Sequence, residues 1–254
     1  MRPGFASPLA ARLAGWGTVL LAGAALEGLI AAGAVNQFVV PYPSDVLGAV
    51  GRILVEEDIP RRFLLTAAET FAAGVFVAVA GTGLGLLLHR SPRLRLAFEG
   101  WVATFAAAPL VLAYPLFLVL FGRSAVTIAA IGFAAGLAPV ILKTVEGLSA
   151  TRRVLVDVGR SLRLTPRQQF LKILLPAAAP TIFVGLRLGL IFSLINIVGI
   201  EFLINFGGLG QLINEMAERY DLPGTYAAIL FVVLVSVLFF AALERAERWL
   251  SPSR

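Results

Sequence analysis

Six apolar runs, each near the roughly 20 residues that carry a helix across ~30 Å of hydrocarbon, dominate this 254-residue chain. They cover 13–35, 65–88, 98–121, 125–142, 178–204 and 226–243. A backbone inside a bilayer finds no water and must bond to itself, which leaves helices or a closed barrel. Barrel strands read as weak two-residue alternation, and these runs are continuous. The chain is therefore expected to be an all-α integral membrane protein of about six transmembrane helices. Residues 1–254 are expected to form a single transmembrane domain. Only 14% of residues are charged, against about a quarter in a soluble domain. A signal peptide is the rival reading of 13–35, since Ala32-Gly33-Ala34 resembles a cleavage site. The run is long for that role.

Charge sets the orientation. With six spans, fifteen of the 21 Lys and Arg residues fall on the side of the termini. Five fall on the other side: Arg52, Arg61, Arg62, Arg123 and Arg219. Arg187 lies within the fifth span. The positive-inside rule then places both termini and the 151–176 segment in the cytoplasm. The net charge of +6 is explained by this topology, so no nucleic-acid partner is expected.

The 151–176 segment, between spans four and five, is the longest soluble-looking stretch. Its core, Val154 to Pro176, reads as two short helices joined by a tight turn. Thr165 is placed to cap the second, with Pro166 at its first position and Gln168 completing a capping box. Pro176 is expected to end that helix. Pro109 and Pro115 are expected to break the third span, and Ser44 or Asp45 to cap a short interfacial helix.

Little chemistry can be built from these residues. Cysteine is absent, which excludes disulfides and thiol catalysis. Lys143-Thr144 follows Leu142 rather than the glycine of a P-loop, so ATP cannot be bound in that way. His89 is the one histidine, and a metal site needs several ligands. Ser193 and Ser236 lie in spans with no histidine at matching depth to act as a base. No catalytic residue, metal or cofactor is expected.

Glu201, near the end of span five, is the most informative charge, because an ionisable group at membrane depth must face protein or water. It reads either as a path or gating residue or as an interfacial glutamate one turn from the surface. Arg187 can snorkel, pair with an acid or attract an anion. It lies about 21 Å from Glu201 along the helix and cannot pair with it. Asn196, Asn205, Phe206 and the Gly207-Gly208-Leu209-Gly210 turn complete a candidate path or gate.

The chain resembles the permease subunits of bacterial type I ABC importers, in particular the nitrate, sulfonate, taurine and bicarbonate group. Asp157-Val158-Gly159, Ile173 and Leu175-Pro176 follow the spacing of the cytoplasmic Glu-Ala-Ala coupling loop of that family. Further likeness lies in the stretch from Pro109 to Gly122 and in Gly185-Leu186-Arg187, Ile200-Glu201, Gly208-Leu209-Gly210 and the stretch from Glu244 to Trp249. At two places the chain differs: Arg163 stands where the pattern has glycine, and Glu69 where relatives often carry arginine.

The resemblance implies a multi-pass protein of the bacterial inner membrane, surrounded by lipid. It implies two cytoplasmic P-loop ATPase subunits per complex and a second permease subunit, identical or different. A periplasmic or lipid-anchored substrate-binding protein would deliver a small, anionic solute. Asp157, Gly159, Arg160, Arg163, Thr165, Arg167, Phe170, Leu171 and Lys172 would then couple to the ATPases, with Phe170 and Leu171 as apolar plugs. An ion-coupled secondary transporter is the alternative, and it would predict inverted halves and activity without an ATPase.

Overall fold

The computed structural model describes residues 8–250. Arg2 and Arg254, which enter the charge count, lie outside them. All regular structure among the described residues is helical. Helix α1 spans Pro8–Ala31, α2 Pro43–Glu56, α3 Ile59–Arg90, α4 Pro92–Ala107, α5 Tyr114–Phe121 and α6 Ala125–Ser149. Helix α7 spans Arg153–Ser161, α8 Pro166–Gln169, α9 Leu175–Ile204, α10 Gly208–Glu218 and α11 Leu222–Leu250. Five helices are long and apolar enough to cross a membrane, and the bent pair of α4 with residues 110–121 makes up to six.

The third span is broken as expected, by a bend of 90°. Only Pro109 breaks it. Pro115 sits in the first turn of α5, where its missing N–H and fixed φ do no harm. The interfacial helix α2 also differs from expectation. Its N-cap is Tyr42, with Pro43 in the first turn and no side-chain cap. Ser44 instead bonds through both backbone N–H and hydroxyl to the Glu27 carboxylate, at 3.2 and 2.7 Å.

Two compact bodies can be distinguished, and each is described by itself. The first comprises residues up to 59 with 212–231. Its core is the apolar face of α2 (Val46, Ala49, Ile53) against Leu212, Met216, Ala227 and Ala228. Two ion pairs flank it. Arg219 holds Glu57 at 2.6 Å, and Arg52 grips Asp221.

The second body comprises, among the described residues, 60–211 with 232–250. Its centre is the contact of α6 with α9, where small residues let the backbones approach closely. A Cβ on Gly136 would lie 2.7 Å from the Gly189 carbonyl, and one on Gly189 would lie 2.8 Å from that of Gly136. The buried Ser193 hydroxyl donates to the Gly132 carbonyl at 2.8 Å. Helix α3 joins the pair through Gly81 against Val140 and Gly85 against Thr144.

Pro176 does not end a helix. Residues 166–204 form one helical run of 39 residues, interrupted only by a π-helical turn at Phe170–Leu174. That wider turn carries the Leu175 N–H to the Phe170 carbonyl. The turn lies beside a proline that cannot donate, so the wider hydrogen-bond step replaces a break.

Candidate functional site

The coupling segment is built by its caps. Helix α7 ends at Leu162, and Arg163 follows in the left-handed region at φ +53°. The Leu164 N–H reaches back to the Gly159 carbonyl at 3.1 Å, and the Arg163 N–H to the Arg160 carbonyl at 2.9 Å. This is a Schellman closure with arginine in the usual glycine place. The expected capping box is present. The Thr165 hydroxyl accepts from the Gln168 N–H at 3.3 Å, and the Gln168 carbonyl oxygen accepts from the Thr165 N–H at 2.9 Å.

Gly159 makes the two short helices fit. It is buried, and a Cβ there would lie 2.5 Å from Ile173. The Gln169 amide donates to the Val156 carbonyl at 2.9 Å and fastens the same contact. Asp157 and Arg160 form an exposed pair at 3.3 Å. Arg163, Arg167 and Lys172 are exposed. Leu171 is half-exposed, whereas Phe170 packs beside Leu148, Ala178 and Ile182 with Arg90 stacked over its ring at 5.1 Å.

The largest bare apolar surface here is on α7. Val154, Leu155, Val158 and Leu162 are all exposed along one face, with Val154 and Leu162 each at 68%. Sequence reasoning missed this stripe. Its helical spacing is that of a core-facing helix, and nothing in the sequence says that the neighbouring surface is absent.

Glu201 occupies a different kind of place. It is fully buried. Its Oε1 accepts the Thr66 hydroxyl at 2.6 Å and its Oε2 the Gly210 N–H at 2.8 Å. Thr66 in turn accepts the Leu209 N–H at 2.9 Å. Glu69, one turn along α3 from Thr66, also hydrogen-bonds Glu201, and its Oε2 is left without a partner. Glu201 faces protein, not solvent. The side chain ties the first turns of α3 and the last turn of α9 to the start of α10.

The glycines are required for this knot. Gly207 and Gly208 have φ of +75° and +78°. A Cβ on Gly208 would lie 2.0 Å from the Glu201 carboxylate, and one on Gly210 would lie 2.1 Å from the Val198 carbonyl. Asn205 caps α9 in the left-handed region, and its carbonyl accepts from Arg123. Asn196 turns back to its own helix, donating to the Phe192 carbonyl at 2.9 Å. Phe206 is partly exposed. Thr66 and Glu69 were absent from the expected site, because contacts between helices 135 residues apart leave no local signal.

Arg187 is spoken for. It pairs with Glu247 on α11 at 2.9 Å, so of the three open readings the structure selects pairing with an acid.

Comparison with known proteins follows from this geometry. A family profile described as "Binding-protein-dependent transport system inner membrane component" matches residues 71–253. The formylaminopyrimidine transport permease protein ThiX of Halalkalibacterium halodurans is 28% identical, covering 69% of this chain and 70% of that protein. The putative aliphatic sulfonates transport permease protein SsuC of Bacillus subtilis is 26% identical over 85% of this chain and 78% of its own length. The nitrate import permease protein NrtB of Synechocystis is 29% identical, over 66% of this chain and 62% of its own. Among solved structures, an inward-facing form of the MetNI methionine ABC transporter aligns with a TM-score of 0.63 at 22% identity. It covers 75% of this chain and 94% of the matched one, a likeness of fold.

Proposed function

We propose, from the premise that this chain belongs to the family of binding-protein-dependent transport system inner membrane components and is a permease subunit of an ABC importer, that its spans line the path of a small anionic solute and that its 151–176 segment couples that path to cytoplasmic ATPases. The observation that carries the coupling is the bare stripe Val154, Leu155, Val158 and Leu162 on α7. An apolar face rimmed by Asp157, Arg160, Arg163, Arg167 and Lys172 has the composition of a protein interface, not of a solvated loop. Thr165 and Gly159 hold its shape. Phe170 acts from behind, as packing.

Residues 1–254 act as one permease domain in the inner membrane, with both termini cytoplasmic. Two such permeases, identical or different, meet two ATPases. A binding protein, periplasmic or lipid-anchored, supplies the solute. ATP is hydrolysed on the partner, and no step of covalent chemistry falls to this chain. The sulfonate and nitrate permeases among the relatives support the anionic class, beside a formylaminopyrimidine permease. It does not follow from Arg187, whose charge Glu247 already answers.

Glu201, with Asn205 and Phe206 beyond it, forms the gate, because it holds the glycine turn to α3. Asn196 lies one helical step inward, on the path side.

Affinity purification of the tagged chain in mild detergent, followed by mass spectrometry with subunit stoichiometry, tests this reading. A P-loop ATPase is expected at two copies per two permeases. A chain that purifies alone and intact across several detergents would overturn the coupling assignment.

A further inference from the structure

Between the end of α3 and the coupling segment lies a cleft of about 630 Å³. His89, Arg90 and Arg167 line its polar side, and Phe170, Leu171 and Leu174 its apolar side. No carboxylate lines it. Arg90 lies over the Phe170 ring, which fixes a guanidinium at the border between the two sides. The Ser149 hydroxyl accepts from Arg95 at 2.9 Å and contacts His89 Nδ1 at 3.3 Å. The Gln169 amide nitrogen is taken by the Val156 carbonyl. The cleft thus offers donors and positive charge above hydrocarbon, at the ends of two apolar helices.

We propose that this cleft binds the headgroup phosphate of an anionic phospholipid, with the lipid's glycerol and upper acyl carbons on Phe170, Leu171 and Leu174. Charge complementarity selects the ligand, because basic pockets at the polar ends of spans attract anionic headgroups. Arg90 is the principal anchor. It can offer two parallel N–H donors to one phosphate while its plane rests on the ring. A lipid seated there touches the coupling segment from its membrane side and makes the order of residues 166–174 depend on bilayer composition. This inference concerns the back of the segment assigned to ATPase coupling, but lipid binding is read without an ATPase, so the two assignments fail separately.

The test uses the full chain, with the subunits that accompany it, in phosphatidylcholine nanodiscs doped with phosphatidylglycerol. Native mass spectrometry then reads the lipid retained. Phosphatidylglycerol is expected to be retained over phosphatidylcholine, and Arg90→Gln to reduce that preference about fivefold, with Arg90→Lys restoring part of it. Inorganic phosphate added to pure phosphatidylcholine nanodiscs separates a lipid site from a free-anion site. Protection of residues 166–174 by phosphate alone, to the same extent as by phosphatidylglycerol, would overturn the lipid assignment. So would equal retention of both lipids. So would an unchanged preference in Arg90→Gln together with weaker ATPase capture, which would make the cleft a protein contact.

Discussion

Arg163 holds a left-handed backbone without the glycine that removes its cost. An L side chain there costs on the order of 1 kcal/mol. Arg163→Gly is therefore expected to stabilise the α7–α8 turn by about that amount, read as slower amide exchange over 153–164. ATPase capture should be unchanged. A drop in capture would mean that the guanidinium touches the ATPase itself. The capping box beside it was legible because Thr165-Pro166-Arg167-Gln168 is a local signal, complete within one turn. The environment of Glu201 was not, since its partners Thr66, Glu69 and Gly210 come from other turns and other helices.

At the scale of elements, α7 is the place where packing and function part. Its Val154, Val158 and Leu162 are half or more exposed, and Leu155 is 38% exposed. Replacing Val158 and Leu162 together with Asp should abolish ATPase capture while leaving the stability of the permease, read from thermal unfolding, within about 1 kcal/mol of the parent. A large fall in stability instead would show that the stripe packs within the permease. The spans themselves were legible from hydropathy, but the course of the backbone through prolines was not. Pro109 coincides with a 90° bend, whereas Pro176 lies within a continuous run. Their difference lies in the following geometry, a 3₁₀ turn in one case and a π-turn before the proline in the other.

The turn between α10 and α11 supplies a pH test. Burial works against ionisation of Asp221, but hydrogen bonds from Arg52 and from the Gly224 N–H outweigh it and hold the carboxyl below its ordinary value. A depressed carboxylate stabilises the fold above the ordinary value of 3.8 and loses that contribution as pH falls through the lower folded value. Arg52 is 44% exposed, so solvent screening limits the contribution to about 1 kcal/mol or less. Thermal midpoints of the parent and Asp221→Asn should differ by a constant amount from neutral pH down to about pH 4, then converge.

For the whole molecule, the expected consequence of Glu201→Gln is loss of both uptake and substrate-stimulated ATP hydrolysis. Both Glu201 oxygens accept hydrogen bonds. An amide that keeps its oxygen on the Gly210 N–H meets Thr66 with a donor, so the Thr66 hydroxyl must turn to the Arg62 carbonyl at 3.3 Å, a weaker arrangement that costs about 1 kcal/mol. Uptake by reconstituted complex in vesicles, with ATP hydrolysis measured in parallel, decides this. Retention of both activities would count against the gate. Arg187 gives no sign of the solute's identity, since it is paired with Glu247.

The helical run from Pro166 to Ile204, broken only by the π-turn at 170–174, has a mechanical meaning. At 1.5 Å per residue it is a rod of roughly 58 Å. It starts beneath the apolar stripe and finishes at the Glu201 knot. A rod without a joint does not dissipate a push along its length. Compliance is confined to its two ends, the wide turn at 170–174 and the paired glycines 207–208. On the proposed assignments, a displacement of the coupling segment would be carried along this helix to the turn that Glu201 holds, with no loop required to fold or unfold.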